Sequence, residues 1–155
     1  MPTDQELQRA LRDTSLRVTR PRVAVMAAVH ALPHADTETV IAHVRQELPA
    51  VSHQAVYDVL RVVVAAGLVR RIQPHGSVAR YEARVGDNHH HVVCRRCGAI
   101  DDVDCAVGEA PCLVPSDDHG FEVDEAEVIF WGTCPDCRRD PSRRGSAPAP
   151  AAYAP

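Results

Sequence analysis

The sequence contains no lysine and no run of about 18 or more apolar residues, the length that a helix needs to cross a bilayer. We therefore predict that nothing in it spans a membrane. Its first residues, Met1-Pro2-Thr3-Asp4, also lack the basic and apolar regions of a signal peptide, so we expect a cytoplasmic protein. Because lysine is absent, every basic contact with a partner must come from arginine.

Six cysteines are present in the 155 residues. In a reducing compartment they indicate metal ligands or redox thiols rather than structural disulfides. The length suffices for one ordinary domain or for two small ones, and small domains bury little surface. We therefore expect a bound metal ion that stabilises the folded domain.

The net charge of −4 is unevenly distributed along the chain. Residues 1–84 carry a formal charge of +3, residues 85–137 carry −10 and residues 138–155 carry +3. An acidic segment attracts cations, whereas a basic one is suited to nucleic-acid phosphates. The distribution therefore predicts cation binding in the middle of the chain and contact with phosphate in its first half.

Helical spacing of apolar residues predicts four helices in the first half. Caps and prolines place them between Gln5 and Thr14, Thr19 and Pro33, Asp36 and Pro49, and Ser52 and Gly67. The period then changes to two, which predicts strands over 68–73 and 78–83 with a turn at 74–77. Helices followed by a small hairpin are typical of a winged helix. The second helix of its helix-turn-helix enters the major groove.

The second half is predicted to contain a small sheet. Strands are expected over 89–94, 99–103 and 121–131, after a polar break at Gly86-Asp87-Asn88. The overall prediction is an α+β chain: an N-terminal winged helix-turn-helix followed by a small α/β domain with a three-stranded sheet. Its parts are a DNA-binding domain at 1–84, a hinge at 85–88, a metal-binding domain at 89–137 and a disordered, Pro/Ala/Arg-rich tail at 138–155.

Two Cys-x-x-Cys pairs predict a closed zinc site. Cys94 and Cys97 form the first pair, Cys134 and Cys137 form the second, and 36 residues lie between the two pairs. Two such knuckles complete the tetrahedron of a structural zinc ion, which contributes folding energy to a small domain. A redox role fits less well, because neither pair lies in the strand–helix context of a thioredoxin motif.

Two further cysteines, Cys105 and Cys112, lie outside these pairs. They are interpreted either as small buried apolar residues or as redox thiols, and nothing in the sequence decides between these roles.

Three consecutive histidines precede the first knuckle. In a strand, His89 and His91 point to one side and His90 to the other. Candidate carboxylate partners are Glu82, Asp101, Asp102, Asp104 and Glu109. Imidazole and carboxylate together suit divalent iron, manganese or zinc. If ligands come from both halves of the chain, metal binding selects one domain arrangement and acts as a switch.

The motifs together resemble those of the ferric-uptake regulator family, over roughly residues 10–137. They are residues 16–22 (LRVTRPR), 51–57 (VSHQAVY), 67–69 (GLV), 80–82 (RYE), 89–98 (HHHVVCRRCG) and 131–134 (WGTC). Residues 104–113 (DCAVGEAPCL) are most similar to actinobacterial redox-responsive repressors of catalase-peroxidase genes.

The resemblance implies a homodimeric repressor on an AT-rich inverted repeat, dimerised through the small second domain. It also implies a structural Zn²⁺ held by the four cysteines and a regulatory Fe²⁺ or Mn²⁺. The family's regulatory ligands fall on His34, Glu82, His89, His91 and Asp102. At the family's second, variable metal site only His90 and Glu109 remain usable as ligands, since Asn88 and Ala126 occupy the other positions.

The predicted DNA-reading surface lies on the fourth helix. Its exposed side carries Ser52, His53, Gln54, Tyr57 and Arg61. Gln54 is suited to adenine, and Tyr57 to a thymine methyl group or a phosphate. By resemblance, Arg17 enters the minor groove. Other arginines are interpreted as phosphate contacts or as solvated side chains: Arg20, Arg22, Arg70, Arg71 and Arg80.

Two other classes of function were weighed. A zinc deaminase requires a His-x-Glu motif, which is absent, so we predict no enzyme activity. A zinc-ribbon interaction module would leave the winged helix without a role.

The signal is the least determined part of the function. By resemblance, Glu82 is typical of iron sensors, whereas peroxide sensors carry Asp there and lose an imidazole ligand through iron-driven oxidation. The depleted second site and the two additional cysteines favour a redox response in control of catalase-peroxidase genes and of the chain's own promoter. The alternative is an iron or manganese sufficiency sensor that represses metal-uptake genes.

Overall fold

A computed structural model describes residues 1–74, 77–86, 89–104, 117, 119–122, 128–140 and 142. The chain forms two compact units, Met1–Pro74 with Val78–Asp87, and His75–Ser77 with Asn88–Pro155. Within the described residues, no helix has the length and apolar character to cross a membrane.

The first unit contains four helices, each within two residues of its predicted limits. They are α1 Asp4–Asp13, α2 Arg20–Ala31, α3 Thr37–Glu47 and α4 His53–Ala65. Side chains cap three of them, because Thr3, Asp36 and Ser52 accept N–H groups of the first turns. The sequence predicts the caps of α3 and α4, whereas the Thr3 cap was not predicted. Thr19 occupies the N-cap of α2 without a side-chain hydrogen bond.

A three-stranded antiparallel sheet completes the winged helix. Its strands are β1 Ala35–Asp36, β2 Arg70–Ile72 and β3 Arg80–Glu82, in the order β1-β3-β2. The last two are the predicted hairpin strands, shortened at both ends, whereas the two-residue β1 was not predicted. Gly67 ends α4 with a φ of +69°, the left-handed conformation that glycine adopts readily.

The core of this unit comes from all four helices. The inward face of α4 is the predicted one, and its members are fully or almost fully buried: Val56, Val59, Leu60 and Val63. They pack with α2, which is buried on most of its surface, and with Leu7 and Leu11 of α1. Because this face of α4 is packed in the core, the opposite face is exposed to solvent.

The second unit contains the other predicted sheet. Its elements are β4 His89–Cys94, β5 Ile100–Asp104, β6 Ile129–Gly132 and the short helix α5 Pro135–Arg139. The strand order is β5-β4-β6, with β4 antiparallel to β5 and parallel to β6. The fold class is therefore the predicted α+β, with a winged helix followed by a small domain built on a three-stranded sheet.

Two predicted limits differ from the observed ones. Helix α5 was not predicted, and it includes Arg138 and Arg139, which the sequence had assigned to a disordered tail. Of the strand predicted over 121–131, residues 123–127 lie outside the described residues, and β6 begins at Ile129. The predictions for Cys105, Glu109 and Cys112 lie outside the described residues.

Candidate metal centres and nucleic-acid interface

The four knuckle cysteines come together in the second unit. All four sulfurs lie within 4.8 Å of one another, and Cys97 Sγ is 3.6 Å from Cys134 Sγ. Cys94 and Cys137 are buried, and all four residues are free thiols. Four convergent sulfurs without disulfide bonds are the donor set of a closed tetrahedral zinc site, so the residues present fit that ion.

Backbone groups orient these sulfurs. The Cys134 N–H donates to Cys94 Sγ at 3.3 Å, and the Cys137 N–H donates to Cys134 Sγ at 3.4 Å. Burial alone raises the pKa of Cys94, but backbone N–H groups that donate to its sulfur outweigh burial and lower the pKa to about 6. Burial and the neighbouring sulfurs raise the pKa of Cys137 to about 12. A metal ion binds the thiolate form of cysteine, so ion binding at these four sulfurs would be coupled to proton release.

Neighbouring residues brace the two knuckles. Gly98, with a φ of +71°, turns the first knuckle back into the sheet, and its N–H donates to the Cys94 carbonyl. Arg96 donates to the Cys137 carbonyl at 3.1 Å and so ties the first knuckle to the second. The Arg95 guanidinium lies 5.3 Å from the ring centre of Trp131.

A histidine–carboxylate cluster lies on the adjoining part of the same sheet. His89 and His91 are buried on one face of β4, and their rings meet edge to face with centroids 4.9 Å apart. Register places His91 opposite Asp102 of β5. One oxygen of Asp102 lies 3.7 Å from Nε2 of His91 and 3.9 Å from Nε2 of His89. Two imidazoles and a carboxylate therefore converge.

His90 points away from this cluster, as strand alternation predicts. It meets the Phe130 ring edge to face, with centroids 6.1 Å apart. Its proposed partner Glu109 lies outside the described residues, so the additional metal site with His90 stays a prediction.

The first unit carries a second buried pair, His34 and Glu82. Nε2 of His34 lies 3.1 Å from a Glu82 oxygen, and both side chains are more than nine-tenths buried. His34 has a φ of +59°, which is unusual for a residue with a Cβ. Strand β1 begins directly after it and pairs with β3, which carries Glu82. The unpredicted β1 thus holds this imidazole beside its carboxylate.

Two arginines of the wing, the hairpin formed by β2 and β3, lie next to this pair. Arg80 donates to the His34 carbonyl at 3.1 Å, and Arg70 lies opposite Glu82 with 4.0 Å between Nε and the carboxylate. Both arginines were predicted to be phosphate contacts or solvated side chains. The prediction of a solvated side chain is wrong for Arg80, because its Nε is buried. Arg70 and Glu82 occupy opposite positions on the hairpin. Their contact could have been predicted from the sequence if the register of the two strands had been known.

The predicted DNA-reading residues do share one exposed surface. Ser52, His53, Gln54, Tyr57 and Arg61 are all exposed on α4 or at its N-cap, and Tyr57 keeps 46% of its surface accessible. A groove of about 550 Å³ runs from this side of α4 to Arg71 and Tyr81 of the wing. Arg17 is exposed in the loop before α2, and its carbonyl accepts from Arg22 at 2.6 Å.

Asp58 contacts two members of that surface. Gln54 donates to Asp58 at 3.1 Å, and the Arg61 guanidinium lies 3.5 Å from the same carboxylate oxygen. The spacings of four and three residues along a helix are those at which side chains meet, so this network was readable from the sequence but was missed.

A helix-turn-helix and two kinds of metal-binding chemistry in one chain define a metal-responsive transcriptional regulator. A model of the ferric uptake regulator family matches residues 13–131. The chain belongs to this family, whose members are transcriptional regulators and not enzymes.

Relatives and a solved structure agree with this assignment. The transcriptional regulator FurA of Mycobacterium tuberculosis is 73% identical over 127 residues, covering 82% of this chain and 86% of that protein. Ferric uptake regulation protein 2 of Mycolicibacterium fortuitum is 66% identical over 146 residues, covering 92% and 100%. The Helicobacter pylori ferric uptake regulator superimposes with a TM-score of 0.65 over 88% of this chain and 95% of that one. At 16% identity, this last likeness supports the fold alone.

Proposed function

We propose that this protein is a homodimeric, metal-dependent transcriptional repressor of the cytoplasm that responds to oxidants. Its operators are AT-rich inverted repeats at its own promoter and at peroxide-defence genes, including that of a catalase-peroxidase. The observation that carries the proposal is the presence of an incomplete, buried imidazole–carboxylate set in each unit.

The regulatory ion is proposed to take ligands from both sets: His34, Glu82, His89, His91 and Asp102. Each set alone offers too few donors for the roughly five or six positions that divalent iron or manganese usually fills. Together they offer three imidazoles and two carboxylates, a donor set suited to Fe²⁺ or Mn²⁺ rather than to a thiolate-loving metal.

Metal binding is coupled to DNA binding in this proposal. Reversing a 99:1 preference for an inactive arrangement takes roughly 10⁴-fold tighter metal binding to the active one. Ligands drawn from two units supply this difference, since an arrangement that separates them loses part of the donor set. The zinc held by Cys94, Cys97, Cys134 and Cys137 is proposed to be structural and always bound.

DNA is proposed to meet the α4 surface and Arg17. Gln54 and Tyr57 reach base edges in the major groove, Arg61 and the N-cap region contact phosphate, and Arg17 enters the minor groove. Two such surfaces in a dimer read the two halves of an inverted repeat.

An oxidant is proposed as the signal because the chain has two thiols beyond the zinc site, Cys105 and Cys112, that are candidates for reversible oxidation. The high identity to FurA of Mycobacterium tuberculosis supports placing it with that regulator. Iron or manganese sufficiency is the second candidate. It is favoured by Glu82 and by the relative named a ferric uptake regulation protein.

Peroxide treatment of Mn- and Fe-loaded protein distinguishes these signals, with operator binding as the readout. If the Mn-loaded protein leaves DNA and a thiol reductant restores binding, the cysteines sense, and Cys105→Ser or Cys112→Ser should remove the response. If only the Fe-loaded protein responds, and irreversibly, the histidines sense. If neither form responds at cellular peroxide levels, metal sufficiency is the signal and the redox proposal fails.

A further inference from the structure

A cation of the wing lies beside the buried carboxylate of the first unit. Arg70 of β2 is paired in register with Glu82 of β3, and the two side chains approach to 4.0 Å. The Glu82 side chain is 2% exposed, whereas that of Arg70 is 25% exposed. Arg70 is therefore partly accessible to solvent, whereas the carboxylate that it approaches is almost fully buried.

The next residue of the strand provides a contrast. Successive side chains of a strand point to opposite faces. Arg71 accordingly points away from Glu82, is exposed, and donates to Gln73 instead. Both arginines carry the same charge on the same strand, but Arg70 is the one opposite the carboxylate.

We propose that Arg70 is a counter-cation of Glu82 in the metal-free protein, and that a divalent cation binding at Glu82 displaces it. This inference rests on the proposed regulatory site. A buried carboxylate needs compensating charge, and Arg70 supplies part of it while no ion is bound. An ion with two positive charges then repels the guanidinium at close range. Because the arginine lies at the rim, it can move into solvent on its flexible stem without unfolding the strand.

This exchange has two consequences. Arg70 lowers the affinity for metal, because the ion must replace an existing contact, and so it sets a threshold of metal concentration. The guanidinium displaced from Glu82 can then contact a DNA phosphate. Metal occupancy thereby adds a basic contact in the same step in which it favours DNA binding.

The test measures Mn²⁺ affinity of the full-length, zinc-loaded protein by competition with a fluorescent chelator. Arg70→Gln should bind Mn²⁺ roughly tenfold more tightly than wild type, because one nearby positive charge is gone. Arg70→Lys should stay near the wild-type value, and Arg71→Gln, the matched control, should not change it. On Mn-loaded protein, Arg70→Gln should also lower the salt slope of operator binding by about 1, the value for one phosphate contact.

Unchanged or weaker Mn²⁺ binding by Arg70→Gln overturns the inference. If that variant does not fold, wild type is labelled with phenylglyoxal and the modified arginines are mapped by mass spectrometry. Arg70 should become more reactive relative to Arg71 when Mn²⁺ is added. Equal or lower reactivity of Arg70 overturns the inference. Glu82→Ala separates the two proposals. If Glu82→Ala weakens Mn²⁺ binding but Arg70→Gln does not change it, only the counter-cation role of Arg70 is refuted. If Glu82→Ala does not change Mn²⁺ binding, the proposed regulatory site is refuted as well.

Discussion

At the scale of single residues, Asp58 is the least expected feature of the DNA-reading surface. A carboxylate there opposes phosphate, yet it holds Gln54 and Arg61 in the free protein. In the proposed interface, both partners exchange this contact for DNA. The exchange disfavours binding to phosphate alone more than binding to a matching base sequence, so Asp58 is expected to favour specific over non-specific sites.

Removing this carboxylate should strengthen non-specific binding. We expect Asp58→Ala to bind a random duplex roughly threefold more tightly at low salt, because a negative charge has left the interface. The matched control is Asp13→Ala, which removes an exposed helical aspartate paired with Arg9 away from this surface. Fluorescence anisotropy at several salt concentrations provides the measurement, and equal affinities of the two variants would refute the role of Asp58.

Tyr57 is the exposed aromatic residue of the same surface. Tyr57→Ala should weaken specific operator binding by roughly 1–3 kcal/mol, the scale of one good base contact. Tyr57→Phe keeps the ring and loses only the hydroxyl, so it distinguishes a thymine methyl contact from a phosphate contact. A footprint and affinity that Tyr57→Ala leaves unchanged would exclude this side chain from the interface.

At the scale of elements, α4 has two faces with different tasks. Val63 is fully buried in the core, whereas its neighbour Val62 is half-buried. Val63→Ala should lower the free energy of unfolding by about 2 kcal/mol through lost burial and a residual cavity. Val62→Ala should cost less than half as much. Urea unfolding followed by far-UV circular dichroism tests this, and equal losses would contradict the assigned faces.

The two cysteine pairs lie at the end of β4 and at the start of α5, so the proposed zinc ion would link these two elements. Cys97→Ser should release zinc, destabilise this unit and abolish the proposed dimer. Metal analysis and size-exclusion chromatography provide the measurements, with Cys105→Ser as a control that should retain zinc. A Cys97→Ser protein that remains a zinc-loaded dimer would show that the cluster is not the structural site.

The accuracy of the sequence predictions also differs between elements. Helix α4 and strand β4 were predicted within a residue, because each combines a clear period with a strong cap or metal motif. Strand β1 and helix α5 are too short to show a period, and they exist through pairing with β3 and through the second knuckle. The contact of Arg70 with Glu82 depends on hairpin register, which the turn residues alone did not specify.

At the scale of the whole molecule, the charge distribution follows the division into two units. The positive segment coincides with the winged helix, and the strongly negative segment contains the cysteine and histidine clusters. The predicted phosphate contacts therefore lie in the positive part of the chain, and most of the candidate metal ligands lie in the negative part. The proposed regulatory ion joins them, because its ligand set draws on His34 and Glu82 from one unit and on His91 and Asp102 from the other.

The central claim is that a regulatory metal, distinct from the structural zinc, controls DNA binding. The most direct measurement is the affinity of wild type and His91→Ala for the chain's own promoter, with and without Mn²⁺, on protein that retains its cysteine-bound zinc. Wild type should bind tightly only with Mn²⁺, and His91→Ala should lose this stimulation while keeping its zinc. Full-affinity binding by wild type without Mn²⁺, or Mn²⁺ stimulation that survives in His91→Ala, would contradict the account.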